Sequence, residues 1–301
     1  GKVDGNVNNE YHTTDDAFRQ PCLQMIVGQR TAGKSFLTSK ILAQAKKDKT
    51  FNAIYIITPS FNSNRAYFKK YISEDNAYEP TRSSIQEVIT RVENDRDEWE
   101  QYLSDKALYD KFKKDMKEKH FTMISADNII QYLDRGFFDN PPEWKYDKNN
   151  PEPPKSLLIL DDCLGSPAIM QSSGLTRIAT LNRHVAPLKE DHKDRSACGL
   201  AVIILSQTYK MQQGIGRVLR ENLSLLTLFL NKQEKQMQSI KEELGNVIDE
   251  DIFEKAYDYA TKEKFGNLTI DFKPKCMTKT FRKNLNEAIM FDELKCECSK
   301  D

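Results

Sequence analysis

The 301-residue chain balances 45 Lys and Arg against 45 Asp and Glu, so no global positive field marks nucleic-acid binding, although a local basic patch or a ring of copies could supply one. With 30% charged residues it has no apolar run near ~18 residues, which excludes a conventional membrane span, and no secretory apolar stretch is expected ahead of residue 22. Six cysteines, scattered apart from Cys296-Glu297-Cys298, fit free thiols in a reducing compartment; zinc held by that pair with Cys276 lacks an evident fourth ligand.

Residues 1–19 are polar and expected to be a flexible segment. Cys22 to Val27 then reads as a short buried strand, and Ser35 to Ala43 as an amphipathic helix. Between them lies Gly28-Gln29-Arg30-Thr31-Ala32-Gly33-Lys34-Ser35, a complete G-x-x-x-x-G-K-[ST] phosphate loop in strand–loop–helix context. The glycines let the backbone wrap close to phosphate oxygens, and the helix start offers unpaired N–H groups at the positive end of its dipole. Lys34 is expected on the β- and γ-phosphates and the Ser35 hydroxyl on Mg²⁺, with Phe36 completing the nucleotide-binding segment. A Gly- and Ser-containing turn is the plain alternative, and both flanks argue against it.

Phe51 to Thr58 predicts a second strand, ended by Pro59. From about residue 83 to 136 the sequence is highly charged and helical, read as an inserted helical arm presenting a solvated face, with a dedicated partner-binding element as the alternative. A proline-rich surface loop, about 138–155, delivers the chain into Ser156-Leu157-Leu158-Ile159-Leu160-Asp161-Asp162. An apolar run ending in two carboxylates describes a central parallel strand whose tip reaches the nucleotide, the Walker B pattern. Asp161 would hold Mg²⁺, and Asp162 would orient or deprotonate the attacking water.

Leu175 to His184 predicts a helix ending in Arg183, and Gly199 to Leu205 a third buried strand ending in Ser206-Gln207. Gln207 thereby stands at the same sheet edge, able to sense the γ-phosphate or position water. Gly214 to Asn222 follows, carrying Arg220, then a fourth strand at Leu223 to Leu230. Phosphoryl transfer gains from an arginine reaching across a subunit boundary, and Arg183 and Arg220 are both candidates, a surface salt bridge being the alternative for each.

The order GQRTAGKS, LLILDD, LNRH, VIILSQ, RENLSLLTLF, over residues 20 to 232, resembles the FtsK/HerA superfamily, most closely the genome-packaging ATPases of large eukaryotic DNA viruses, virophages and polinton-like elements. The resemblance implies an α/β fold, a P-loop NTPase with a mainly parallel central sheet flanked by helices, to which the helical insertion and a C-terminal α+β extension at 233–301 are added. It implies ATP and Mg²⁺ as ligands, Arg183 as the trans finger, Gln207 as the sensor, and a homo-oligomeric ring, pentamer or hexamer, acting on double-stranded DNA. A viral capsid or packaging components are the further partners expected. The place of action would be the cytoplasm of an infected host cell, with virion association. Thr208 to Gly216 is a candidate for moving DNA-contacting loops, and Lys189, Lys210 and Arg217 are candidate phosphate contacts whose plainer reading is solvated charge. The hydrophilic stretch Lys189 to Arg195 lengthens the link to the sensor strand.

In the extension, Gln233 to Ile240 and Asp251 to Tyr257 predict helices and Asn267 to Phe272 a strand, packing back on the core. A GTPase switch is the main rival, since Asp162-Cys163-Leu164-Gly165 matches DxxG and Asn231-Lys232-Gln233-Glu234 approximates NKxD. Against it stand the roughly 127 residues between Lys34 and Asp162, and the Glu where guanine recognition uses Asp. A nucleotide-gated scaffold without turnover is the other rival. A nucleotide kinase lacks an evident Arg-rich lid.

Overall fold

The computed structural model describes residues 18, 20–118, 123–189, 198–209, 215–245, 248–274 and 276–291. Mostly apolar runs form the strands β1 (Leu23–Val27), β4 (Ser156–Asp161), β5 (Leu200–Ser206) and β6 (Leu225–Phe229), each buried along its whole length. Burial on both faces is what a parallel sheet sandwiched by helices requires. With β2 (Ala53–Ile57) and the two-residue β3 (Ala77–Tyr78) they make a parallel sheet in the order β3-β2-β4-β5-β1-β6. The fold is the mainly parallel α/β sheet expected.

Side-chain alternation along the strands divides the core between two faces. On one, Ile26, Leu157, Ile159, Ile203 and Leu205 pack against α1 (Lys34–Lys47) and α2 (Phe61–Phe68) through Leu37, Leu42 and Phe68. On the other, Met25, Leu158, Leu160, Val202 and Ile204 meet α6 (Ser173–Leu181), α7 (Ile215–Glu221), α8 (Glu234–Leu244) and α9 (Glu250–Thr261). The short α5 (Pro167–Met170) adds Ile169 to that core.

The segment read as a solvated arm divides in two. Its first part, α3 (Ser84–Glu118), is one 35-residue helix, about 50 Å long at ~1.5 Å per residue. Ile85, Val88, Ile89 and Val92, at helical spacing, bury in the main core, and so do Trp99 and Tyr102. Only the far end stands apart, where α4 (Ala126–Asp134) closes a small second cluster of Phe112, Ile124, Tyr132 and Phe137. The proline-rich loop also reaches inward: Trp144 is buried with its ring 4.9 Å from Trp99 and 5.7 Å from Tyr102. Lys145 and the Tyr146 hydroxyl, 2.5 and 2.7 Å away, fasten the loop to Asp95 of α3.

Beyond residue 232 the chain extends the same sheet. β7 (Asn267–Asp271) pairs antiparallel with β6, followed by β8 (Phe281–Lys283) and β9 (Glu287–Ala288). Because β7 runs against β6, its first residue Asn267 lies opposite Phe229, at the C-terminal edge of the parallel strands. No described helix is long and apolar enough to cross a membrane. The N-terminal segment 1–17, Lys210, most of the proposed moving loop, His192 with its neighbours, and Cys296 and Cys298 lie outside the described residues.

Candidate functional site

Three segments distant in sequence end at one sheet edge. Val27, last in β1, pairs with Ser206, last in β5, and Gly28 N–H donates to Ser206 O at 3.1 Å. Asp161, last in β4, pairs with Leu205, whose carbonyl accepts from Asp162 N–H at 3.2 Å. The phosphate-loop residues, the two carboxylates and Gln207 therefore stand side by side, with β5 and its glutamine between loop and carboxylates.

The loop Gly28 to Gly33 bends through two left-handed residues, Thr31 at φ 65° and Gly33 at φ 110°. A Cβ on Gly28 would stand 3.0 Å from both Ala32 Cβ and Phe229 Cβ, so a side chain there would crowd both neighbours. Lys34 donates to the carbonyls of Gly28 at 2.6 Å and Gln29 at 3.1 Å, placing its ammonium inside the loop's curve. Burial lowers its pKa from the ordinary lysine value, while the nearby charges of Asp162 and Asp161 pull it back up. Ser35 and Phe36 follow in the first turn of α1, where no acidic side chain competes for the helix start. Arg30 and Gln29 are exposed, and Gln29 Nε2 donates to Asn231 Oδ1 at 3.3 Å.

The two carboxylates differ. Asp161 is buried, and Thr58, at the end of β2 and itself fully buried, donates to its Oδ2 at 3.2 Å. Asp162 is exposed and left-handed at φ 52°, and Gln207 Nε2 donates to its Oδ1 at 3.0 Å and its Oδ2 at 2.8 Å. The oxygen donors of Ser35 and Asp161 suit a hard octahedral cation such as Mg²⁺, which takes one or two protein oxygens and fills its shell with phosphate and water. Among the described residues no cluster of three acidic, His or Cys side chains offers a metal another home.

The two arginine candidates lie elsewhere. Arg183 sits in the 3-10 turn Asn182–His184, whose Asn182 Nδ2 donates to Leu200 O, the first residue of β5. Gln207 follows the last residue of the same strand, so roughly 20 Å, at ~3.3 Å per residue, separates the Arg183 turn from the site's edge. Arg183 cannot complete the site of its own subunit. Arg220 is turned inward: its Nε donates to Glu243 at 2.7 and 3.0 Å, its side chain is 9% exposed, and its guanidinium lies 5.4 Å over Tyr209. A finger has to leave its own subunit, which this pairing opposes. Lys189 and Arg217 are exposed and paired with Glu100 and Glu221.

Asn231, the first residue of the NKxD-like run, has its amide occupied: its Oδ1 also accepts from Gln233 N–H at 3.0 Å, and its Nδ2 donates to Gln236 Oε1. Tyr257 anchors this loop by accepting from Asn231 N–H at 2.8 Å and donating to Phe229 O at 3.1 Å. Thr58, Phe229 and Phe265 are site neighbours that sequence reasoning missed. Thr58 ends a strand that the sequence does reveal; Phe265 carries no sequence signal.

No protein-family model and no curated protein sequence matches the chain. Among solved structures it is similar to the genome packaging NTPase B204 of Sulfolobus turreted icosahedral virus 2, solved with sulfate, at 14% identity and a TM-score of 0.42 over 89% of this chain and 97% of that one. It is similar to B204, the DNA-packaging ATPase of Sulfolobus turreted icosahedral virus, at 10% identity and a TM-score of 0.41 over 89% and 98% of the two chains. The monomer form of the pCW3 conjugation coupling protein TcpA with ATPγS matches at 13% identity and a TM-score of 0.43, over 91% of this chain and 62% of that chain.

Proposed function

We propose that the chain is a Mg²⁺-dependent ATPase that translocates double-stranded DNA, packaging a viral genome into a preformed capsid as a homo-oligomeric ring of five or six subunits. The observation that carries the ATPase is the meeting of Gly28 to Ser35, Asp161-Asp162 and Gln207 at one sheet edge. The motor and its cargo are supported by the order of the motifs along the sequence.

Each residue has work that its environment fits. The Lys34 ammonium, now on loop carbonyls, moves to β- and γ-phosphate oxygens, which are better acceptors because they are charged. Bound Mg²⁺ would neutralise charge building on the phosphates, held by Ser35 and Asp161, the latter oriented by Thr58. Asp162 takes a proton from the attacking water or orients it, and Gln207 fixes the carboxylate's angle. Arg183 of a neighbouring subunit supplies the remaining positive charge, so that turnover depends on assembly. Infected-cell cytoplasm is the proposed place of action.

The test is turnover of ATP and GTP by the assembled protein, with and without duplex DNA, across a salt series. ATP hydrolysis stimulated by DNA, more weakly as salt rises, is expected. Strict GTP use would return the switch reading, and absence of turnover at every concentration would return the scaffold.

A further inference from the structure

The turn between α9 and β7 is brought back to the phosphate loop by the antiparallel pairing of β7 with β6. Phe265 occupies that turn in the left-handed region, at φ 68°, and its side chain is 53% exposed. Both features are unfavourable for phenylalanine, and glycine would avoid both. The conformation is nevertheless fixed from both sides: Gly266 N–H donates to Glu263 O at 2.9 Å, and Asn267 Nδ2 to Phe265 O at 3.4 Å. A ring held at conformational cost, half in water, is a reason to look for a ligand.

What it faces is the loop. Phe265 Cδ1 lies 3.4 Å from where a Cβ on Gly33 would stand, next to the Phe229 ring at the same distance. Phe36, in the first turn of α1, is 51% exposed and lines the same cavity as Gly33, Phe265 and Asn267. Each ring carries an ammonium, Lys40 at 4.8 Å from the Phe36 centroid and Lys264 at 5.0 Å from that of Phe265.

The strand order gives the direction in which a nucleotide would lie. Asp161 ends β4 with Asp162 next to it, and Gln207 follows β5, on one side of β1; Phe265 precedes β7, on the other side, beyond β6. A γ-phosphate directed at Asp162 leaves the nucleoside end directed at Phe36 and Phe265. We infer that Phe265 stacks on the base of the bound nucleoside triphosphate, with Phe36 as the second apolar wall of the base cleft. This rests on the nucleotide-site reading above and adds the subsite for the base. Stacking reads the face of a base and not its edge, so both purines are accepted.

The test uses isothermal titration of the full chain with ATP and with inorganic tripolyphosphate, which has no base, both with magnesium. Phe265→Gly removes the ring at a position where glycine relieves the backbone, so the fold is retained. It is expected to weaken ATP binding about ten-fold or more, as loss of an aromatic–base stack does, and to leave tripolyphosphate within about two-fold. Phe265→Tyr is expected to bind ATP like the parent. Lys34→Ala should weaken both ligands. ATP binding by Phe265→Gly equal to the parent's, or equal losses for ATP and tripolyphosphate, overturns the base subsite while a Lys34→Ala loss leaves the nucleotide site standing. A parent protein that binds neither ligand overturns both.

Discussion

Gln207 Nε2 bonds both carboxylate oxygens of Asp162, at 3.0 and 2.8 Å, from the end of the strand beside the one that carries Asp162. The amide therefore fixes the plane of the carboxylate, whose backbone at φ 52° already restricts it. Asp162→Asn keeps the shape and one acceptor oxygen but loses the negative charge and the basicity that take a water proton. Turnover should fall at least about 100-fold with ATP affinity nearly unchanged. Gln207→Ala leaves the acceptor but frees its angle, and a smaller loss of turnover is expected. Equal turnover in Asp162→Asn and the parent, measured by phosphate release, would remove Asp162 as the base.

Thr58→Val deletes one hydroxyl at nearly constant volume and leaves Asp161 Oδ2 without its 3.2 Å donor in a buried setting. A stability loss of about 1–2 kcal/mol is expected for such a bond. If Thr58 also orients Asp161 toward magnesium, the magnesium concentration giving half-maximal turnover should rise several-fold, and Thr58→Ser should restore it. A stability loss with no change in magnesium dependence would leave Thr58 a packing residue.

Much of this site could be read in the sequence because its parts are local. Strand, loop and helix around Gly28 to Ser35 are contiguous, and Asp161 and Gln207 each end an apolar run that only a buried strand explains. Phe265 could not be read, because its nearness to Gly33 comes from antiparallel pairing of β7 with β6, a register set by tertiary packing. In α3 the helix is legible and its buried face is not, for another reason. Ile85, Val88, Ile89 and Val92 keep helical spacing, but Glu87 and Arg91 among them, with Glu93 and Asp95 just beyond, dominate the composition and mask the buried stripe. Trp144, amid prolines, has no periodic context, and only its partners Trp99 and Tyr102 reveal it as core.

Arg183 and Arg220 should separate cleanly. Arg220→Ala removes the guanidinium from Glu243, whose side chain is 29% exposed and keeps its hydrogen bond with Tyr209, and takes the cation from the Tyr209 ring. Losing a charge-assisted hydrogen bond whose remaining carboxylate reaches water costs about 2 kcal/mol, so the melting temperature should fall by a few degrees. Arg183→Ala should change stability by less than about 1 kcal/mol yet abolish turnover. The trans role has its own check: mixed rings of Arg183→Ala and Asp162→Asn subunits contain some intact composite sites, so activity should reappear on mixing. Mixed rings as inactive as either variant alone would count against a shared site.

The thiols give a pH signature of known sign. Burial pushes the Cys22 thiol up to about 11, and burial together with the charge of Asp161 pushes Cys163 up to about 12, from an ordinary value of 9.0. Both stay protonated in the folded protein well above the pH at which they ionise in the unfolded chain. Between pH 9 and 11 the unfolded state therefore binds fewer protons, and stability present below pH 9 is lost as pH rises. Lys34 works the other way, since its lowered pKa makes the unfolded state the better proton binder below 10.5. Cys22→Ala with Cys163→Ala removes the two thiol contributions, so its melting temperature should start lower, by about 1 kcal/mol of lost packing per site, and fall less steeply over that range. At pH 8 an alkylating reagent should modify the half-buried Cys276 well before Cys22, Cys163 or Cys198, as read by peptide mass mapping. Early alkylation of Cys22 in folded protein would show that the N-terminal edge of β1 opens on the reagent's timescale, which its burial argues against.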